Sequence, residues 1–323
     1  MFHAVRAAAL ASFCLLFTVP VAAADTYPER PIRLIVPFAP GGGTDINARI
    51  LADPIGKALG QTVVIDNRPG AGSSLGSAIA AKATPDGYTL LQGTISLTIN
   101  PAVYKELPFD AQRDLIPITR VSDQPSILVV HPSSPANTLQ EFIALARSQS
   151  GKFAFGSAGV GTGSHLATTL LTLRTGMKML HVPFKGTGPA LNAPLGNEIS
   201  VYMSTFASAL PHVKQGRLRP YAVTTLRRAD PLPDVPTIDE AGVKDFEYAA
   251  WYGMFAPTGT PPRIVDRMYR ATTGALNNPK VLEIYKAQGL NATPTNPAEF
   301  AKYFAAEKKK WAGVVRDAGI AQM

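Results

Sequence analysis

The chain has 323 residues, 46% of them hydrophobic, with 31 Lys and Arg against 23 Asp and Glu and a single cysteine. The size suits one large domain or two lobes, and the composition supplies a core. The basic excess is scattered apart from Lys308-Lys309-Lys310, with no basic patch interleaved with aromatics, so nucleic acid is not an expected partner.

The first 24 residues read as a secretory signal peptide. Arg6 precedes an apolar run from Ala7 to Val21, and Ala22-Ala23-Ala24 offers small residues for cleavage before Asp25. The run is shorter than the roughly 18 to 20 residues that span a bilayer, and Pro20 lies near its end. The lone Cys14 lies in this segment behind the bulky Phe13, which argues against lipid attachment. The exported chain would then carry no cysteine, so disulfides cannot hold it together.

Strands and helices alternate from there on. Ile32 to Val36, Val63 to Ile65 and Tyr88 to Leu91 read as strands, separated by helical patterns over 46–59 and 75–83, the first containing Pro54 and expected to kink there. Ser126 to Val130 reads as another strand. Thr138 and Glu141 form a capping box for a helix with Leu139, Phe142, Ile143 and Ala146 on its apolar face. Phe153 to Phe155, Val182 to Phe184 and Tyr221 to Val223 follow as strands, with a helix through Leu166, Leu170 and Leu173 that Gly176 ends. Three further helices close the chain, opening at Pro261-Pro262, Asn278-Pro279 and Asn296-Pro297; the last buries Phe300, Phe304, Trp311 and Val315. Such alternation predicts an α/β fold with mostly parallel sheets.

Three glycine-rich turns fall between a strand and a helix: Gly41-Gly42-Gly43-Thr44-Asp45, Gly159 to Ser164 with Gly161, Thr162 and Gly163, and Lys185-Gly186-Thr187-Gly188. Glycines admit a ligand to backbone N–H groups, and the helix N-terminus behind them adds a partial positive charge, so each turn can hold an anion. Any one such glycine more often serves only a tight turn; three in matching positions point to a ligand. Ile35 to Gly41 also echoes His181 to Gly186, as if two lobes offered similar turns across a cleft. His165, at a helix start, is a further candidate contact. No Walker sequence occurs, and Gly159-Val160-Gly161 leads to Ser164 where a dinucleotide fingerprint needs glycine. The histidines at 131, 165, 181 and 212 lack metal spacing, so neither metal nor cofactor is expected. Gly72-Ser73-Ser74-Leu75-Gly76 matches the pattern around a hydrolase nucleophile, which makes a secreted serine hydrolase using Ser74 the alternative reading, but no histidine follows His212 to complete the usual order.

Several motifs together resemble the Bug family, the extracytoplasmic solute receptors of tripartite tricarboxylate transport systems. They are Pro37-Phe38-Ala39-Pro40-Gly41-Gly42 with Asp45 and Arg49, Asn67-Arg68-Pro69-Gly70-Ala71-Gly72, Pro85-Asp86-Gly87-Tyr88-Thr89-Leu90, Pro183-Phe184-Lys185-Gly186 and Trp251-Tyr252-Gly253. The resemblance implies a periplasmic-binding-protein type II fold, a two-lobed Venus flytrap with mixed, mostly parallel sheets. Lobe 1 would comprise 25–125 and 250–323, and lobe 2 126–249, with hinges near Asp123 to Ser126 and Tyr248 to Trp251. It implies capture of a small carboxylate without catalysis, by a monomer located in the periplasm and serving membrane transporter subunits or a sensor protein. Carried over by position, the ligand contacts would be Phe38, Gly41, Gly42, Thr44, Asp45 and Thr94 from the first lobe. The second would contribute Ser157, Gly159, Thr162, His165, Phe184, Gly186, Thr187 and Ser204. The segments Leu195 to Ser200 and Tyr202 to Ser204 depart from the family pattern; the second ends in Ser204 where the pattern has an acid facing the cleft, and losing that acid favours a ligand other than an amino acid.

Overall fold

A computed structural model describes residues 26–317 together with Gly319, Ile320 and Gln322; the expected signal peptide lies outside the described residues. In the first lobe β1 (Ile32–Val36) pairs in parallel with β2 (Val63–Asn67) and β3 (Thr89–Thr94). In the second, β5 (Phe153–Ser157) pairs in parallel with β6 (Met179–Pro183) and β7 (Val201–Thr205). Two long strands join these triads: β4 (Leu115–Val130) and β9 (Ala249–Pro257). Every antiparallel strand pairing among the described residues runs through β4 or β9, including those of β8 (Arg219–Val223) and β10 (Asn291–Ala292) with β4. The sheets are therefore mixed, with parallel pairing of strands confined to the two triads apart from an isolated parallel bridge between Val223 and Thr237.

β4 is shared between the lobes. Its residues from Leu115 to Pro125 pair with β9, ending at Pro125 opposite Ala249, and from Ser126, opposite Thr205, it pairs with β7 and β8. The sequence pattern exposed only its last five residues, because Pro117 and Pro125 read as breaks. The strand accommodates them where the ladder is irregular: the register shifts just after Pro117, and Pro125 sits at the handover. Beyond the handover, alternation divides the strand between two faces: Leu128 and Val130 join the main core, while Ile127 and Val129 join a smaller cluster around Tyr202, Phe206 and Val223. Thr224 fastens the crossing. Its hydroxyl accepts from Ser126 N at 2.8 Å and donates to Tyr248 O at 2.7 Å, while its own N–H donates to Ser126 O and its carbonyl accepts from Tyr248 N.

The helices fill in as their end signals direct. α1 (Gly43–Leu59) follows β1 and runs through Pro54 uninterrupted, ending at Gly60 in a left-handed conformation. α2 (Ser74–Ala81), α3 (Ser96–Val103) and the short α4 (Ala111–Asp114) complete the first stretch. α5 (Leu139–Ser148) is capped by Thr138, although Glu141 reaches back to Asn137 N and not to Thr138 N. α6 (Gly163–Thr175), α7 (Thr187–Leu195) and α8 (Phe206–Lys214) belong to the second lobe; α9 (Pro262–Leu276), α10 (Pro279–Gln288) and α11 (Pro297–Asp317) return to the first. The last opens on a full capping box between Asn296 and Glu299.

α11 packs Phe300 and Phe304 against Trp251 and Phe255 of β9, and Trp311 against Tyr248. Glu307, itself buried, accepts from both indoles, Trp251 Nε1 at 3.2 Å and Trp311 Nε1 at 3.0 Å. Removing the carboxylate leaves two buried donors unsatisfied. Glu307→Ala should therefore destabilise the fold by about 2–5 kcal/mol in urea titration, and Glu307→Gln, which keeps an acceptor, by clearly less.

Candidate ligand-binding site between the lobes

The turn after β1 is built around Asp45. Its carboxylate accepts from Gly41 N (3.0 Å), Arg49 Nε (2.9 Å) and Asn67 Nδ2 (3.0 Å), and Asn67 also donates to Phe38 O. Burial alone would raise the carboxyl pKa, but the hydrogen bonds from Arg49, Gly41 and Asn67 outweigh it and hold the group below its ordinary value. Asp45 is thus an ionised brace for the loop. The turn before α6 is braced by hydroxyls. Thr162 Oγ1 donates to Gly159 O, Ser164 Oγ accepts from Ala158 N, and Ser157 Oγ accepts from Gly159 N.

These braces aim helix ends at one small cavity of about 50 Å³ between the lobes. Five helices bring N-terminal residues to it: Gly42 and Thr44 of α1, Ile95 and Ser96 of α3, Thr162 and Ser164 of α6, Thr187 of α7 and Thr205 of α8. None of the five is capped by its own N-cap side chain, although Thr94 Oγ1 accepts from Ser96 N of α3 and Gln124 Oε1 from Ala207 N of α8, whereas α5 and α10 are capped by Thr138 and Asn278. The remaining lining comes largely from the lobe-crossing segments, with Ser126, Tyr248, Trp251 and Tyr252. Burial pushes both tyrosine hydroxyls upward, so they stay neutral. No Asp, Glu, Lys or Arg lines the cavity. It offers an anion neutral hydroxyls and the positive ends of helix dipoles, and it offers an ammonium group no carboxylate.

Of the residues expected at the ligand, Phe38, Gly42, Thr44, Thr94, Thr162 and Thr187 line this cavity. Gly159 and Phe184 instead line a neighbouring interlobe chamber. The rest lie behind these walls. Gly41 N is engaged by Asp45; Ser157 Oγ lies 2.6 Å from His181 Nε2; His165 Nδ1 accepts weakly from Gly161 N at 3.4 Å; Ser204 donates to Thr205 O. Gly186 abuts the other lobe, where a Cβ would stand 3.1 Å from Ala39 N. Sequence reasoning missed Ser126, Thr205, Tyr248 and Tyr252. Trp251-Tyr252-Gly253 stood out as a motif, but nothing local marks a crossing strand as a cavity wall.

The lobes are closed on each other. A Cβ at Gly72 would collide with Val160 O across the interface, one at Gly188 with Pro40 O, and Tyr104 donates across it to Val160 O at 3.1 Å. Ser74, the alternative nucleophile, is buried and accepts from Asn100 Nδ2 at 2.9 Å, with no histidine hydrogen-bonded to it among the described residues.

The chain matches the tripartite tricarboxylate transporter family receptor (TctC) profile over residues 47–320. It is 38% identical to Protein BugT of Bordetella pertussis over 298 residues, 92% of this chain and 91% of the relative. Among solved structures, the periplasmic binding protein BugD superposes with a TM-score of 0.89 at 35% identity, over 92% of this chain and 100% of that one. A R. palustris protein solved with adipate gives 0.89 at 32% identity, over 92% and 100%. MatC from Rhodopseudomonas palustris with bound malate gives 0.85 at 32%, over 90% and 100%. These are binding proteins, not enzymes, which with the placement of Ser74 removes the hydrolase alternative.

Behind the cavity His165 stacks on His181 at 4.2 Å, and His181 on Phe155 at 4.8 Å. Burial lowers both histidines from 6.5 to about 4, with His165 adding to the effect on His181. Their folded pKa is depressed, so between pH 6.5 and 4 the unfolded chain binds more protons than the folded one. Stability should be full above about pH 6.5 and fall as pH drops towards 4. Urea midpoints measured across that window should show the slope, and His165→Gln should flatten it.

Proposed function

The chain belongs to the tripartite tricarboxylate transporter receptor family, and on that premise we propose that it captures a small organic carboxylate in the interlobe cavity by closure of its two lobes. The observation that carries this reading is the convergence of five helix N-termini, those of α1, α6 and α7 without a side-chain cap, on a cavity without a charged side chain. A carboxylate would sit among the backbone N–H groups near Gly42 and Gly163 and the hydroxyls of Thr44, Thr94, Thr162 and Thr187. The adipate and malate found with similar proteins are acids without an amino group, the class that a cavity lacking a carboxylate favours.

In this reading the lobes comprise 25–125 with 250–323, and 126–249, and move about the crossings near Ser126 and Tyr248. The protein works as a periplasmic monomer after loss of residues 1–24. Its closed form is what membrane transporter subunits, or a sensor protein, recognise; ligand provides the differential affinity that closure needs.

Refolded protein, stripped of carried-over ligand, should be titrated with monocarboxylic, dicarboxylic and tricarboxylic acids and with amino acids. A true ligand at 100-fold over its dissociation constant should stabilise by about 2.7 kcal/mol, a rise in melting temperature of roughly 5 to 10 °C. Aspartate or glutamate as the tightest ligand would contradict the non-amino-acid assignment, and no response to any acid would sink the carboxylate reading. Gly72→Ala should weaken the same ligand at least tenfold in calorimetry while barely changing the far-ultraviolet dichroism, because the added methyl group meets Val160 O and obstructs closure, whereas the left-handed φ of 57° strains the lobe by only about 1–2 kcal/mol.

A further inference from the structure

On the face of the crossing segments opposite the cavity lies a groove of about 870 Å³. Pro125 lines the groove and Ser126 the cavity; Glu247 lines the groove and Tyr248 the cavity. Neighbouring residues of a strand point to opposite faces, so the Pro125–Ser126 step of β4 divides the two spaces, and no residue lines both. One wall of the groove is the loop from Thr225 to Pro231, which follows β8 of the second lobe. The other runs from Leu282 of α10 to Ala292 of β10 in the first. Leu226 and Leu282, one on each wall, are 54% and 43% exposed. The lobes touch at Gly289, where a Cβ would stand 2.5 Å from the Phe206 ring at the start of α8. Away from that contact the walls are independent. Among the described residues no hydrogen bond or ion pair joins them: Arg228 binds Glu240 within its own lobe, and Asn291 binds Asp123 within the other. The cleft side differs, because Tyr104 there donates across the interface to Val160 O.

We infer that this groove is the counter-face of the ligand cavity: it widens as the lobes close and narrows as they open, so bulk placed in it raises the affinity for ligand. The inference rests on the proposed closure about the crossings near Ser126 and Tyr248. Two bodies that turn about a fulcrum part on one side as they approach on the other. The lobes here are closed on the cavity side, so this is the form in which the groove is wide. A side chain that fits between the walls in this form meets the opposite wall as the cleft opens. It therefore raises the energy of the open form and not of the closed one. The apparent dissociation constant then falls by the factor by which the binding-competent fraction grows. The absence of any bond between the walls leaves steric bulk as the property through which the groove acts on the lobes.

The test places tryptophan in the groove at two exposed positions, Leu226→Trp on one wall and Lys286→Trp on the other. Calorimetry with adipate and with malate should show each variant binding about threefold to tenfold more tightly than the wild-type chain, for whichever acid that chain binds. Lys286→Trp removes a cation, which by itself weakens the attraction for an anion, so a gain there runs against the change in charge. Ile284→Trp adds the same ring to α10 at a residue 45% exposed that does not line the groove, and should leave the affinity as it was. Small-angle scattering from the stripped, unliganded chain supplies a reading that needs no ligand. Both groove variants should have a smaller radius of gyration than the wild type, nearer to that calculated for the closed form, and Ile284→Trp should not. Affinity and radius unchanged in both groove variants, or affinity lowered in both, would overturn the counter-face. So would a wild-type chain whose unliganded radius already equals the closed value. A wild-type chain that binds neither acid, nor any in the series titrated above, loses the carboxylate reading, and scattering alone then decides the groove.

Discussion

The structure depends on a transfer of hydrogen bonds along one strand. β4 gives its ladder to the first lobe up to Pro125 and to the second from Ser126, so a single peptide step separates the two sheets. Proline suits the step because it donates no hydrogen bond and therefore commits to neither sheet on that side. Thr224 then binds both crossing segments through one side chain and one peptide unit. Gln124 extends the link: its amide donates to Tyr252 OH on β9 and its carbonyl oxygen accepts from Ala207 N at the start of α8. The wall of the cavity and the crossing between the sheets thus share residues, so in the proposed capture a ligand against Tyr252 or Thr205 would act directly on that crossing.

Recognition without a formal cation follows from that construction. A buried Lys or Arg would have to be desolvated in the empty closed state and would attract any anion indiscriminately. Helix ends already carry donors that the fold leaves uncapped, and their orientation is fixed by braces such as Asp45 and Thr162. The glycines serve closure as much as binding. Gly72 with Val160, and Gly188 with Pro40, let backbone meet backbone across the interface at distances that any side chain would prevent.

Much of this was legible in the sequence because it was local. β1, β2, β3, β5 and β8 followed from apolar runs, the end of α6 from Gly176, and the starts of α10 and α11 from Asn278-Pro279 and Asn296-Pro297. The three glycine turns marked the helix ends at the cavity. What the sequence concealed was non-local. β9 is buried almost along its whole length and shows no alternation; the first part of β4 is masked by prolines. Ser126, Thr205 and Tyr248 reach the cavity only because chain segments far apart in sequence meet at the joint. The apposition of Gly72 and Val160, and of Gly188 and Pro40, needs both lobes in place before either glycine has a reason.

The division between a cavity of helix ends and an outer chamber of side chains has a consequence for descent. Main-chain N–H groups survive every point substitution except one to proline, so preference for a carboxylate head is inherited with the fold itself. Positions such as Phe184 and Lys185, which line the neighbouring chamber, lie outside the braces and the joint, and can vary without disturbing either. One scaffold could thereby diversify across many acids by editing a handful of codons, while its capacity to close and be recognised passes unchanged from copy to copy.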